Sequence, residues 1–147
     1  EMQSAIGIIQ LKMLEEMRRR RTENAHVFLR LLSDIPLIRM PYPKEGYQHA
    51  WYKFYCYLNN QFLKKDWNRD KIINKINKLG YPAFHGGCGE IYKEKSFDQS
   101  DFYKNKMPVA KLLFETSLML LVHPTISNNQ MNSYALAVKE VLEEASI

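Results

Sequence analysis

The pattern of apolar residues in the first thirty positions constrains the fold more than any other feature of the chain. Met2, Ile6, Ile9, Met13 and Met17 recur at helical spacing, and Val27, Phe28 and Leu31 continue the same face. Residues 2–32 are therefore expected to form one helix, about 45 Å long at 1.5 Å per residue. Ile8 and Leu11 fall well off that stripe, so the first half of the helix is apolar on more than one side. One side is expected to cover the chain's own sheet, and the other calls for a partner, either a second domain or another subunit. The chain opens on Glu1 rather than methionine. The expectation is that it begins inside a longer polypeptide, or was processed or truncated.

Downstream of that helix the elements are short. Pro36 stops it, residues 35–40 form a candidate strand, and residues 41–46 are a turn-rich connection. Residues 51–58 (WYKFYCYL) are dense in aromatics, as strands are. Trp51 and Phe54 are expected in the core or at an interface. Asn68 caps a helix whose core face is Ile72, Ile73, Ile76 and Leu79, closed by Gly80. Residues 81–84 make a short strand, Pro108 opens a helix running to about Glu115, and residues 117–122 make another strand. Ser127 caps the last helix, with Gln130 completing a capping box, and that helix buries Met131, Tyr134, Ala135, Val138, Val141 and Leu142. This order predicts an α+β fold: a two-layer small domain, with a small mixed or antiparallel sheet, helices packed against it and a long N-terminal helix. Residues 1–147 are expected to be one domain, with a helix over 1–33 and an α+β body over 34–147.

Charge and composition exclude several classes. The net charge of +5 is mild, and much of it sits in the run Arg18 to Arg21. Consecutive helical positions point in all directions, so the run makes no flat basic stripe, and no nucleic-acid partner is expected. The aromatic segment with its lysines lacks the signature of an RNA-recognition sheet. The longest apolar run, Leu118 to Val122, is far too short to span a membrane, and no secretory signal opens the chain. Two cysteines make no disulfide framework. A reducing, cytoplasmic setting is expected.

The chemistry concentrates in residues 80–92 (GYPAFHGGCGEIY), where a short strand breaks into a glycine-rich turn holding His85, Cys88, Glu90 and Tyr92. His85 and Cys88 have metal-like spacing, but a zinc site needs about four ligands, and Glu90, His49 or His123 complete it only if the fold delivers them. A Cys88 nucleophile with a His85 base needs an oxyanion hole that the sequence does not display. Gly86, Gly87 and Gly89 lack the Gly-Lys-Ser/Thr of a phosphate loop. No catalytic residue and no metal site are assigned. His49 stands at the mouth of the aromatic strand, where it can face a ligand. His123 with Pro124 reads as a strand end and turn, and His26 as a surface or packing residue.

Taken in order, these segments resemble one family. Residues 1–11 (EMQSAIGIIQL) are similar to the E-x-Q-A-A-I-G-x-x-Q-L helix of the DegT/DnrJ/StrS sugar aminotransferases. Residues 49–54 (HAWYKF) resemble its H-x-W-Y-x-F/Y strand, and residues 79–97 resemble the G-I-P-x-F-x-G-S-C-S-E-I-Y-x-E-K-x-F segment of one branch. Residues 107–111, 115–118 and 121–124 resemble the L-P-x-A, E-T-S-L and L-V-H-P blocks. The resemblance implies the C-terminal small domain of a fold type I transaminase that uses pyridoxal phosphate to move an amino group, commonly from glutamate, onto a nucleotide-linked keto sugar. It implies that the Schiff-base lysine and most cofactor contacts lie in a large N-terminal domain, which would be the partner of the long helix, and that the parent is a homodimer. None of Lys53, Lys93, Lys95 and Lys111 matches the catalytic lysine. By the same match His85, Gly86, Gly87, Cys88, Glu90 and Tyr92, with His49, are candidate substrate contacts. Gly87 and Gly89 stand where the branch carries serines, which implies a looser loop with two fewer hydroxyls. The alternatives are an autonomous protein-interaction module, or a small Cys/His hydrolase or metal-binding domain.

Overall fold

The computed structural model describes residues 1–87, 89–97 and 107–147. Four helices and four strands follow in the order α1 (Met2–Leu32), β1 (Ile38–Arg39), β2 (Phe54–Leu58), α2 (Arg69–Lys78), β3 (Ala83–His85), α3 (Pro108–Thr116), β4 (Ser117–Leu120) and α4 (Asn128–Ala145). The strands form one antiparallel sheet in the order β1-β2-β4-β3. The fold is α+β, and the "mixed" option for the sheet falls away, because no parallel pair occurs among these strands.

The sheet is two-faced because its side chains alternate. Phe54, Cys56 and Leu58 of β2 and Leu118 and Leu120 of β4 are buried on one face. Against them pack α1, α2 and α4. Phe28 of α1 is fully buried between Phe54 (ring centroids 5.0 Å apart) and Tyr134 of α4 (5.1 Å, edge-on). Tyr134 also stacks on Tyr81 at 5.3 Å, donates its hydroxyl to Pro82 O and accepts from the Leu121 amide at 3.3 Å. One phenol thus fixes the entry to β3 and the exit from β4.

The helix boundaries follow local chemistry. Asn68 Oδ1 accepts the Lys71 amide at 2.8 Å, and Ser127 with Gln130 forms the expected capping box. Gly80 ends the turn after α2 with φ +87, a conformation that favours glycine. The reversal at Gly80 leaves Leu79 on the rim, 45% exposed, so its expected place in the core is not realised. The strands are shorter than expected. Residues 51–53 do not pair, because Trp51 has φ +47 and bends the chain before β2 begins.

The long helix corrects the packing expected of it. Burial begins only at Asn24; Met2, Ile6, Ile9 and Met13 are exposed, as are Ile8 and Leu11. Neither side of the first half covers the sheet. The helix simply outruns the body, since the last third of its length already spans the face it packs on. Asn24 Nδ2 donates to His123 O at 2.9 Å, and Arg20 reaches Asn128 Oδ1 and Ile126 O, which pins the helix where it meets the body. The arginine run is spent locally: Arg18 pairs with Glu15, Arg19 with Glu16 and Glu23, Arg20 with Glu23, and Arg21 lies over the Tyr52 ring.

Candidate functional site

The glycine loop begins at the end of β3, where His85 pairs with Leu118 of β4. β3 is an edge strand, and the outward backbone groups of its first residue are satisfied by Asn77 of α2: Nδ2 donates to Ala83 O at 3.0 Å, and Oδ1 accepts the Ala83 amide at 2.9 Å. This amide clamp fixes the direction in which the chain leaves the sheet.

The loop is held by close backbone approach. A Cβ at Gly86 would lie 2.1 Å from Ser117 Oγ, and one at Gly89 would lie 2.4 Å from Phe114 Cβ. Gly86 therefore lets the loop cross the start of β4, and Gly89 lets it lie on α3. This contact runs against the looseness implied by the missing serines: Gly89 is packed, not free. Gly87 has open space around it, so a side chain is tolerated there. Cys88 lies outside the described residues, and with it the His85–Cys88 pairing.

His85 Nε2 lies 3.3 Å from Asp70 Oδ1 at the start of α2, with half of each side chain exposed. Asp70 is held in turn by Arg69, which donates to Asp70 through Nε at 3.0 Å and to Phe114 O, and lies over the Phe114 ring. Glu90 is the opposite case, with only 10% of its side chain exposed. It accepts the Tyr92 hydroxyl at 2.5 Å and Lys93 Nζ at 2.9 Å, and the chain then enters a 3-10 turn over Ile91–Lys93. The Tyr92 hydroxyl, followed by Lys93, holds the Glu90 carboxyl below the usual range. The same bond, with burial, raises the Tyr92 phenol. Glu90 and Tyr92 thus brace the loop, while His85 and Gly87 are its more open members.

The remaining candidates lie elsewhere. His49 precedes β2, at the end of the sheet marked by the Phe54–Leu120–Ala83 row, whereas the glycine loop leaves from the Cys56–Leu118–His85 row. Among the described residues the two do not line one pocket. His123 Nδ1 bonds the Thr125 hydroxyl at 2.7 Å, a turn closure, and exposed His26 faces the Tyr42 hydroxyl at 3.4 Å. Sequence reading missed Asp70, Arg69 and Asn77, which shape the loop's surroundings. The only signal available was their position at the two ends of a predicted helix.

The described residues do not fit a pyridoxal-phosphate site. The cofactor needs an enclosed lysine for its imine, yet among the described residues no lysine is buried. Lys93 is bonded to Glu90, Lys111 pairs with Glu115 at 3.7 Å, and Lys53 lies beside the Tyr52 ring. Among these residues no three His, Cys, Asp or Glu side chains converge as a metal site would require, and no helix is long and apolar enough to cross a membrane.

The model of the DegT/DnrJ/EryC1/StrS aminotransferase family matches residues 1–139, and the chain belongs to that family. It is similar to the aminotransferase from Psychrobacter cryohalolentis, with 38% identity and a TM-score of 0.91, over 98% of this chain and 39% of that one. Helicobacter pylori PseC, an aminotransferase involved in the biosynthesis of pseudoaminic acid, shares the fold with a TM-score of 0.84 at 20% identity, over 97% of this chain and 37% of that one. The spore coat polysaccharide biosynthesis protein SpsC of Bacillus subtilis is 24% identical over 99% of this chain and 37% of its own length. The chain spans little more than a third of the length of these relatives. Pyridoxal phosphate is the family's cofactor, and one structural neighbour holds it trapped with glutamate.

Proposed function

We propose that this chain is the C-terminal small domain of a pyridoxal-phosphate-dependent aminotransferase acting on a nucleotide-linked keto sugar, and that it is not catalytic alone. One observation carries the reading: the family match runs along almost the whole chain, yet the chain covers only 39% of the Psychrobacter cryohalolentis aminotransferase. Exposed apolar residues along the first half of α1 support a large N-terminal domain as the surface that helix docks on. The cofactor, bound in that domain, supplies an electron sink for the amino transfer.

In this reading the work of the chain is recognition. His85 and the open backbone at Gly87 face the substrate, with Cys88 next in sequence. Gly86 allows the loop its path over Ser117. Glu90 and Tyr92 keep the wall in shape, and His49 serves a contact at the other end of the sheet. An amino-acid donor such as glutamate, a homodimeric parent and a cytoplasmic setting belong to the same proposal.

Mixing the chain with pyridoxal phosphate is expected to give no internal-aldimine absorbance and no borohydride-trapped lysine adduct; a stoichiometric adduct overturns the assignment. The reading frame upstream of Glu1 is expected to encode a domain with the catalytic lysine. In that full-length enzyme, His85→Ala should raise KM for the sugar nucleotide roughly tenfold while leaving KM for the amino donor unchanged. An equal effect on both substrates removes His85 from sugar recognition.

A further inference from the structure

The two limbs of the glycine loop, the one entering at His85 and the one leaving at Gly89, rest on a single covered cation. Arg69 opens α2, and only 11% of its side chain is exposed. A guanidinium cannot shed its charge, so one this covered has to be held by its acceptors. Nε and Nη2 each lie 3.0 Å from Asp70 Oδ1, and Nη1 donates to the Phe114 carbonyl. The guanidinium carbon also sits 5.3 Å over the Phe114 ring. Phe114 belongs to the last turn of α3, where carbonyls lack partners within the helix and a cation is favoured.

Each of these two acceptors leads to a different limb. Asp70 Oδ1 lies 3.3 Å from His85 Nε2, at the entry. A carboxylate beside Nε2 favours hydrogen on that nitrogen, which leaves Nδ1 as an acceptor. The Phe114 carbonyl takes a second donor, Ser117 Oγ at 3.3 Å, and that hydroxyl is the atom a Cβ at Gly86 would strike. Phe114 is also the residue Gly89 lies on, since a Cβ there would come within 3.2 Å of Phe114 Cα. One guanidinium thus joins the support of His85 to the support of Gly86 and Gly89, between residues 45 apart in the chain.

We propose that Asp70 and Arg69 are positioning residues for recognition of the sugar. Asp70 orients His85 so that Nδ1 accepts a substrate hydroxyl, and Arg69 couples that limb of the loop to the limb resting on α3. The proposal rests on the reading of the glycine loop as a substrate wall. Its own content is the coupling: removing the guanidinium displaces both limbs together, and removing the carboxylate displaces one.

Two measurements separate the coupling from the reading beneath it. The first is the amide NMR spectrum of the chain. Arg69→Met keeps an apolar stem without the guanidinium and should shift the amides of His85, Gly86, Gly89 and Glu90 together. Asp70→Ala should shift His85 and leave Gly89 and Glu90 in place, because Arg69 still holds the Phe114 carbonyl. Arg69→Lys keeps the charge but loses the fork, so it should give the same joint shifts in smaller measure, and it serves if Arg69→Met does not fold. Shifts confined to one limb in the Arg69 variants overturn the proposal, as does hydrogen on His85 Nδ1 in the ¹⁵N–¹H spectrum at mildly alkaline pH. The second measurement is steady-state kinetics of the full-length enzyme. Arg69→Met and Asp70→Ala should each raise KM for the sugar nucleotide roughly tenfold and leave KM for the amino donor unchanged. An equal rise in both KM values overturns the positioning role. If the limbs shift as expected while the sugar KM stands still, the coupling holds and the reading of the loop as a sugar wall is what has failed.

Discussion

Single side chains decide how this chain presents its loop, and two of them are open to direct measurement. Glu90 is held in its ionised form, chiefly by the Tyr92 hydroxyl and next by Lys93, so its carboxyl titrates below the usual range. A carboxyl depressed in the folded state contributes stability that is present above its unfolded value and lost as the pH falls through the folded one. The 3-10 turn over Ile91–Lys93 is therefore expected to stay ordered through neutral pH and to loosen only at acid pH. Tyr92→Phe removes the largest cause, and the Glu90 titration followed by ¹³C NMR should move up toward the ordinary glutamate range. An unmoved titration would mean that the hydroxyl is not the brace. Cys56 is fully buried under the sheet with its thiol against Leu118 O, and burial pushes its pKa up to about 12. Iodoacetamide at neutral pH should leave Cys56 unmodified in the native chain and alkylate it readily in denaturant.

At the scale of elements, the loop is shaped by what it lies on rather than by its own sequence. Gly89 has room for hydrogen only, because α3 places Phe114 Cβ and Ala110 O where a side chain would go. Gly89→Ser should therefore not restore a useful hydroxyl. It should lift the loop from α3 and destabilise the chain by about 1–3 kcal/mol in urea unfolding, the usual cost of overpacking. Gly87→Ser, which has free space, should be near neutral in the same experiment. Reading the family motif alone would treat the two substitutions as equivalent. The caps, by contrast, were legible: Asn68, Gly80 and the Ser127–Gln130 box occur as their chemistry demands, because each acts within a few residues of itself. The lengths of the strands were not legible. They are set by pairing partners and by the kink at Trp51, and neither leaves a local trace in composition.

The whole molecule carries more surface than a chain of its size should. Its accessible area is 10255 Å², against roughly 7,900 Å² for a compact monomer of this mass. The apolar first half of α1 is one source of that surplus. If a large domain covers it, amides between Ile6 and Leu14 should exchange quickly in the isolated chain and become strongly protected in the full-length protein. Equal exchange in both would remove the docking role from α1. Helical periods, caps, the aromatic core of β2 and the blocks that carry the family can be read along the chain, because they depend on neighbours close in sequence. It takes the folded arrangement to leave both sides of the helix's first half uncovered and to set His49 and the glycine loop at opposite ends of the sheet. The same holds for the contact between Gly89 and α3. Each of these depends on which residues distant in sequence the strand register and helix packing bring together, and periodicity carries no record of that.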